Sequence, residues 1–154
     1  MRLKTFTDYS LRVLIFLATR PQRRATIAEI AGAFDISENH LMKVSHALGK
    51  AGLLANIRGK GGGLELAMTP KAISVGNVVR ITEGAPHPAE CYSAHNTCCI
   101  VRACKLRTVL DDAVQAFYEV LDRYTIEDIV RNRAVLSELL ALPRPAQVTL
   151  RRGS

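Results

Sequence analysis

The stretch that most restricts the fold is residues 53–70, LLANIRGKGGGLELAMTP, where the hydrophobic period changes from helical to extended. Two strand-like runs, roughly 53–58 and 64–68, flank a turn in which four of the five residues 59–63 are glycine and the fifth is Lys60. Short apolar runs joined by a glycine-rich turn read as a β-hairpin, here with a positively charged tip. What precedes it is helical. In TDYSLRVLIFLAT, residues 7–19, Leu11, Leu14, Ile15 and Ala18 recur at helical spacing and Thr7 is placed to cap. Pro21 stops that segment. Thr26 and Glu29 then have capping-box spacing at the start of TIAEIAGAF. A turn of three or four residues leads to Ser37, a cap for SENHLMKVSHALGKAG, in which Leu41, Val44 and Leu48 form the inward stripe. Gly52 ends it, as glycine often ends helices. Two helices joined by a tight turn and followed by a charged hairpin describe a winged helix-turn-helix.

Charge supports that reading. Residues 1–84 hold 12 Lys or Arg against 6 Asp or Glu, and residues 85–154 hold 9 against 8, so +6 of the net +7 sits in the first part. A basic half points to a polyanion, with nucleic acid the leading candidate. No apolar run approaches the ~20 residues that span a bilayer. Asp8 and Arg12 interrupt the apolar N-terminus and no small-residue cleavage site follows, so a cytoplasmic protein is expected.

Beyond the hairpin, Ser74 can cap SVGNVVRITEG, and residues 85–98 read as a loop. A long helical pattern follows, ACKLRTVLDDAVQAFYEVLDRYT, with Leu106, Leu110, Val114, Phe117 and Leu121 on one face. About twenty residues make ~30 Å of helix, and a head this small offers little surface to bury it, so it reads as a dimerisation helix. TIEDIV and AVLSELLAL add two short helical pieces. The fold expected is mainly α with a small β-hairpin wing. Residues 1–84 form the winged helix-turn-helix, 85–104 a ligand-bearing loop, 105–142 the dimerisation and C-terminal helices, and 143–154 a tail too poor in apolar residues to pack.

All four cysteines, Cys91, Cys98, Cys99 and Cys104, crowd into CYSAHNTCCIVRAC. Disulfides are rare in cytoplasmic proteins. A structural zinc site would show closely paired C-x2–4-C ligands, and that pairing is missing. A catalytic thiol would want one cysteine with a placed base, so no enzyme is expected. Loosely spaced thiols suit a larger thiolate-loving object, an iron–sulfur cluster.

MRLKTFTDYSLRVLIFLA, SENHLMKVSHALGKAGL, RGKGGGLELA and the cysteine loop together resemble the winged-helix regulators that carry iron–sulfur clusters, and within them the nitric-oxide-sensing repressors. The resemblance spans about residues 1–140. It implies Cys91, Cys98 and Cys104 as three ligands of a 4Fe–4S cluster, with Asp8 of a second subunit as the fourth. It further implies a homodimer that binds operator DNA and releases it when nitric oxide attacks the cluster. Two departures from the family stand out: six residues separate Cys91 from Cys98, and Cys99 is an extra thiol that could replace Cys98. The related 2Fe–2S regulators of cluster biogenesis place a His three residues after the last cysteine, where this chain has Arg107; His95 remains an alternative ligand.

On DNA, Ser37 would cap the recognition helix, Asn39 and His40 address base edges, and Lys43 meet a phosphate. Arg58 and Lys60 of the wing would reach backbone or minor groove. Arg12, one helical turn after Asp8, is placed to pair with it. Two alternatives keep the fold: a 2Fe–2S regulator of redox state, oxygen or cluster supply, and a DNA binder whose cysteines hold zinc or act as thiol switches.

Overall fold

The computed structural model describes residues 2–141; the tail expected at 143–154 lies outside the described residues. In chain order the elements are α1 (Thr5–Ala18), α2 (Ile27–Phe34), α3 (Glu38–Lys50), β1 (Leu54–Ile57), β2 (Gly63–Leu66), α4 (Val75–Glu83), α5 (Leu106–Asp122), α6 (Ile126–Ile129) and α7 (Arg133–Ala141). The fold is mainly helical with one small antiparallel sheet. Among the described residues no helix is long and apolar enough to cross a membrane.

The helix-turn-helix forms where capping chemistry dictates. Thr26 and Glu29 complete their capping box: the Thr26 hydroxyl accepts from the Glu29 amide, and the Glu29 carboxylate accepts from the Thr26 amide at 2.7 Å. Asp35, in a left-handed conformation (φ 56°), reverses the chain after α2. Ser37 then caps α3 by accepting from the His40 amide. Leu41, Val44 and Leu48 are fully buried. Each contributes about 1.5–3 kcal/mol of burial, which fixes the rotation of α3 about its axis. The opposite face is thereby committed to solvent.

α1 is the central support, packing against both α3 and α4. It begins three residues earlier than a Thr7 cap implies, with Lys4 at its N-cap. Thr7 is instead buried in the first turn, donating its hydroxyl to Glu83. The apolar residues cover more than one stripe: Val13, Leu14, Phe16, Leu17 and Ala18 are buried, whereas Leu11 and Ile15 are half-buried. A helix packed on two sides loses the single-face period that locates its start and orientation from sequence.

β1 and β2 pair antiparallel, Leu54 opposite Leu66 and Ile57 opposite Gly63. Ala25 adds a bridge to Leu64, its N–H donating at 3.1 Å and its carbonyl accepting at 2.8 Å. This third pairing docks the hairpin onto the α1–α2 connection. α5 is tied to the head by a bidentate ion pair, both Arg80 guanidinium nitrogens lying 2.6 Å from the Asp122 carboxylate, with Arg80 stacked 4.5 Å from the Tyr118 ring. That pair holds the Asp122 carboxyl below its ordinary range. Phe117, Tyr118 and Leu121 pack against the core, so the C-terminal half of the expected dimerisation face is spent on the chain's own head. Leu106, at the other end, is 53% exposed.

Candidate functional site

The outer face of α3 carries Asn39, Met42, Lys43, His46 and Lys50, all exposed and spaced i, i+3, i+4, i+7, i+11. Ser37, Asn39, His40 and Lys43 are exposed as well, but the His40 ring lies 6.1 Å from Tyr9 of α1. His40 therefore faces α1 rather than the middle of the outer stripe. Met42, His46 and Lys50 escaped the sequence reading, although the same 3.6-residue period that buries Leu41, Val44 and Leu48 places them outward. An exposed Met beside Asn and His offers apolar contact for a thymine methyl next to hydrogen-bonding groups for base edges.

The wing tip is built by glycine. Gly59 (φ 92°) and Gly61 (φ 76°) are left-handed, and the Gly62 amide donates to the Gly59 carbonyl at 2.9 Å. Arg58 and Lys60 are exposed on this turn. Arg24, which sequence reasoning passed over, fixes the tip from outside. Its Nε lies 2.7 Å from Glu65 and its Nη1 donates to the Gly61 carbonyl at 3.2 Å. Only the folded hairpin brings residues 24 and 61 together.

The cysteine loop leaves α4 at Gly84 and enters α5 at Lys105. All four cysteines are free; Cys91, Cys98 and Cys104 are half-buried and Cys99 is exposed. The Cys104 sulfur accepts from the Leu106 amide at 3.4 Å, placing it beside the unpaired N–H groups that open α5. Glu90 accepts from both the Thr97 amide (2.9 Å) and hydroxyl (2.8 Å), which hold its carboxyl below the usual range. The Tyr92 hydroxyl contacts Asp111 at 2.7 Å and the Arg107 carbonyl at 3.0 Å. Desolvation, then the Asp111 carboxylate, push its phenol up to about 12. Arg107 lies over the Tyr92 ring at 5.2 Å and braces the loop. His95 is exposed, with its amide donating to Ser93.

Asp8 sits in the first turn of α1, its side chain 47% exposed, in a bidentate pair with Arg12 at 2.8 and 3.2 Å. The i, i+4 pairing expected from the sequence is present. Among the described residues no three Cys, His, Asp or Glu side chains are gathered tightly enough to hold a metal ion. The donor set nevertheless fits an iron–sulfur cluster in its chemistry: three half-buried thiols on one loop, one of them accepting a backbone amide where α5 opens.

Residues 3–132 match the family Rrf2, described as an iron-dependent transcriptional regulator. The chain is 46% identical over 144 residues to the HTH-type transcriptional regulator NsrR of Bacillus subtilis (strain 168), an alignment covering 92% of this chain and 99% of that protein. Among solved structures, CymR (YrzC), the global cysteine regulator of B. subtilis, is similar with a TM-score of 0.66 and 30% identity, covering 86% of this chain and 98% of that one. IscR of T. potens shares the fold with a TM-score of 0.70 at 24% identity, covering 94% of both chains. These relatives are transcriptional regulators rather than enzymes. Similarity over most of the chain, the winged helix-turn-helix and the basic outer face converge on one conclusion: the chain belongs to the Rrf2 family of transcriptional regulators.

Proposed function

We propose that the chain is a homodimeric repressor that binds operator DNA and releases it in response to nitric oxide. The observation that carries the reading is its similarity to NsrR regulators over 92% of its length, joined to the thiol loop and to the sequence resemblance to nitric-oxide-sensing repressors. α3 of each subunit would enter successive major grooves about 34–36 Å apart. Asn39 and Met42 would meet base edges, while Lys43, Lys50, Arg58 and Lys60 meet phosphates.

The homodimer reading has support in α5. Leu106, Val109, Ala113, Ala116 and Val120 are all exposed and follow the alternating three–four spacing of a heptad seam. This seam is distinct from the Phe117–Leu121 face that packs on the head. Two small alanines at its centre let two such helices approach closely.

Cys91, Cys98 and Cys104 would hold a 4Fe–4S cluster, with Asp8 of the second subunit completing the set. When bound, such a cluster supplies iron at which nitric oxide reacts. Asp8 suits the fourth position because a carboxylate is a harder, more weakly held ligand than thiolate. It also lies next to Tyr9, whose ring touches His40 at the start of the recognition helix. Displacing Asp8 would thus release α1, and with it α3, from one fixed relation between subunits. A shift of ~1.4 kcal/mol between two dimer poses changes DNA occupancy about tenfold.

The test is anaerobic titration of protein bound to a duplex selected from a random pool, with nitric oxide added stepwise. Release of DNA by nitric oxide but not by buffer supports the reading. Unchanged binding, or release by mild oxidants alone, contradicts it.

A further inference from the structure

We infer that Glu90 and Tyr92 are positioning residues that tie together the segments carrying Cys91, Cys98 and Cys104 before iron arrives, leaving the thiols only a local closure to make on a cluster. The inference rests on the cluster reading above. Six residues separate Cys91 from Cys98, a long span for two ligands of one compact group. The structure closes that span without metal. Glu90 immediately precedes Cys91, and Thr97 immediately precedes Cys98. The Glu90 carboxylate accepts from both the amide and the hydroxyl of Thr97, at 2.9 and 2.8 Å. Both cysteines therefore leave from the closed end of the same small loop.

A second tether joins that loop to the third cysteine. Tyr92, on the other side of Cys91, donates its hydroxyl to Asp111 at 2.7 Å and reaches the Arg107 carbonyl at 3.0 Å. Both partners lie in the opening turns of α5, and Cys104 stands at that helix's entrance with its sulfur accepting from the Leu106 amide. Cys91 is thus bracketed by two anchored neighbours, one tied toward Cys98 and the other toward Cys104. Cys99, one residue past the clasp, is the exposed thiol of the four.

The consequence is quantitative. Closing a chain between residues seven apart costs entropy as (3/2)RT ln n, on the order of twentyfold in an equilibrium constant. With the clasp in place, a large part of that cost is met in folding rather than in metal uptake. Removing it should weaken cluster retention while leaving the outer face of α3 unchanged.

The experiment uses the full chain, reconstituted with iron and sulfide without oxygen, in wild type, Glu90→Ala, Tyr92→Phe, Thr97→Val and Thr97→Ser. Iron loss to a chelator should be about tenfold faster for Glu90→Ala and Tyr92→Phe, less accelerated for Thr97→Val, which keeps the amide donor, and unchanged for Thr97→Ser, which keeps both donors. Amide exchange in the metal-free protein gives an independent readout: Thr97 should be protected in wild type and lose protection in Glu90→Ala. Iron loss at the wild-type rate in both Glu90→Ala and Tyr92→Phe would overturn the inference, as would equal Thr97 exchange with and without Glu90. Wild-type protein that takes up no iron, yet still protects Thr97, would sink the cluster reading while leaving the clasp itself in place.

Discussion

Replacing Gly63 with alanine should separate the wing from the head. Gly63 has φ 146°, where L side chains are strained, a cost of about 1–3 kcal/mol. An alanine Cβ would stand 2.9 Å from the Ala25 carbonyl oxygen and 3.2 Å from the Arg24 Cβ. The first is backbone, so the β2 edge itself must move. The next residue makes both bonds that dock the wing, Leu64 with Ala25 at 2.8 and 3.1 Å, and losing them costs about 0.5–1.5 kcal/mol each. The sum is about 2–6 kcal/mol, a large part of the 5–15 kcal/mol typical of a domain. Urea unfolding of Gly63→Ala reads this directly. Gly32→Ala is the control: Gly32 lies in α2 with nothing within 4 Å of its Cβ position, so alanine should stabilise by about 0.5–1 kcal/mol. On DNA, a detached wing gives up the phosphate contacts of Arg58 and Lys60, lowering the slope of log K against log salt by about 1.8. Stability within about 0.5 kcal/mol of wild type, or an unchanged salt slope, would refute the docking argument.

Other consequences can be checked alongside. Val109→Glu, at the middle of the exposed α5 seam, should convert the dimer to a monomer in sedimentation without lowering helix content; a persistent dimer would remove that seam from the interface. Cys98→Ala should abolish cluster loading and Cys99→Ala should not, read by visible absorbance after reconstitution; the opposite pattern would exchange their roles. In acid, Glu29 and Asp128 have carboxyls lowered chiefly by capped backbone amides, and Asp122 by Arg80. Because folding lowers these values, their stabilisation is complete above the ordinary carboxylate range and is lost as pH falls through it. The melting temperature of metal-free protein should therefore be level near neutrality and decline below about pH 4.5, and stability that rises on acidification would contradict the assignment.

The helix-turn-helix and wing were legible because their signals are local. The Thr26–Glu29 box, the Ser37 cap, the Leu41/Val44/Leu48 stripe and the glycine turn each act within a few residues, and each reappears in the structure. The clustering of thiols was legible as composition. What escaped depends on distant residues meeting. Arg24 reaches Glu65 and Gly61 across about forty positions, and Glu83 accepts from the Lys4 amide at 2.7 Å from 79 positions away. Neither pairing has a periodic signature. α5 shows the limit of periodicity itself. Its apolar positions satisfy two faces, one used by the head through Phe117 and Leu121, the other left exposed through Val109 and Val120. Spacing alone marked the first.

The most direct test of the central claim, that Cys91, Cys98 and Cys104 make this regulator an iron–sulfur protein, is to purify it without oxygen and count iron and acid-labile sulfide per subunit. The account predicts about four of each, falling to background in Cys104→Ala. About two of each would replace the proposed cluster with a 2Fe–2S one, and zinc or no metal at all would contradict the claim outright.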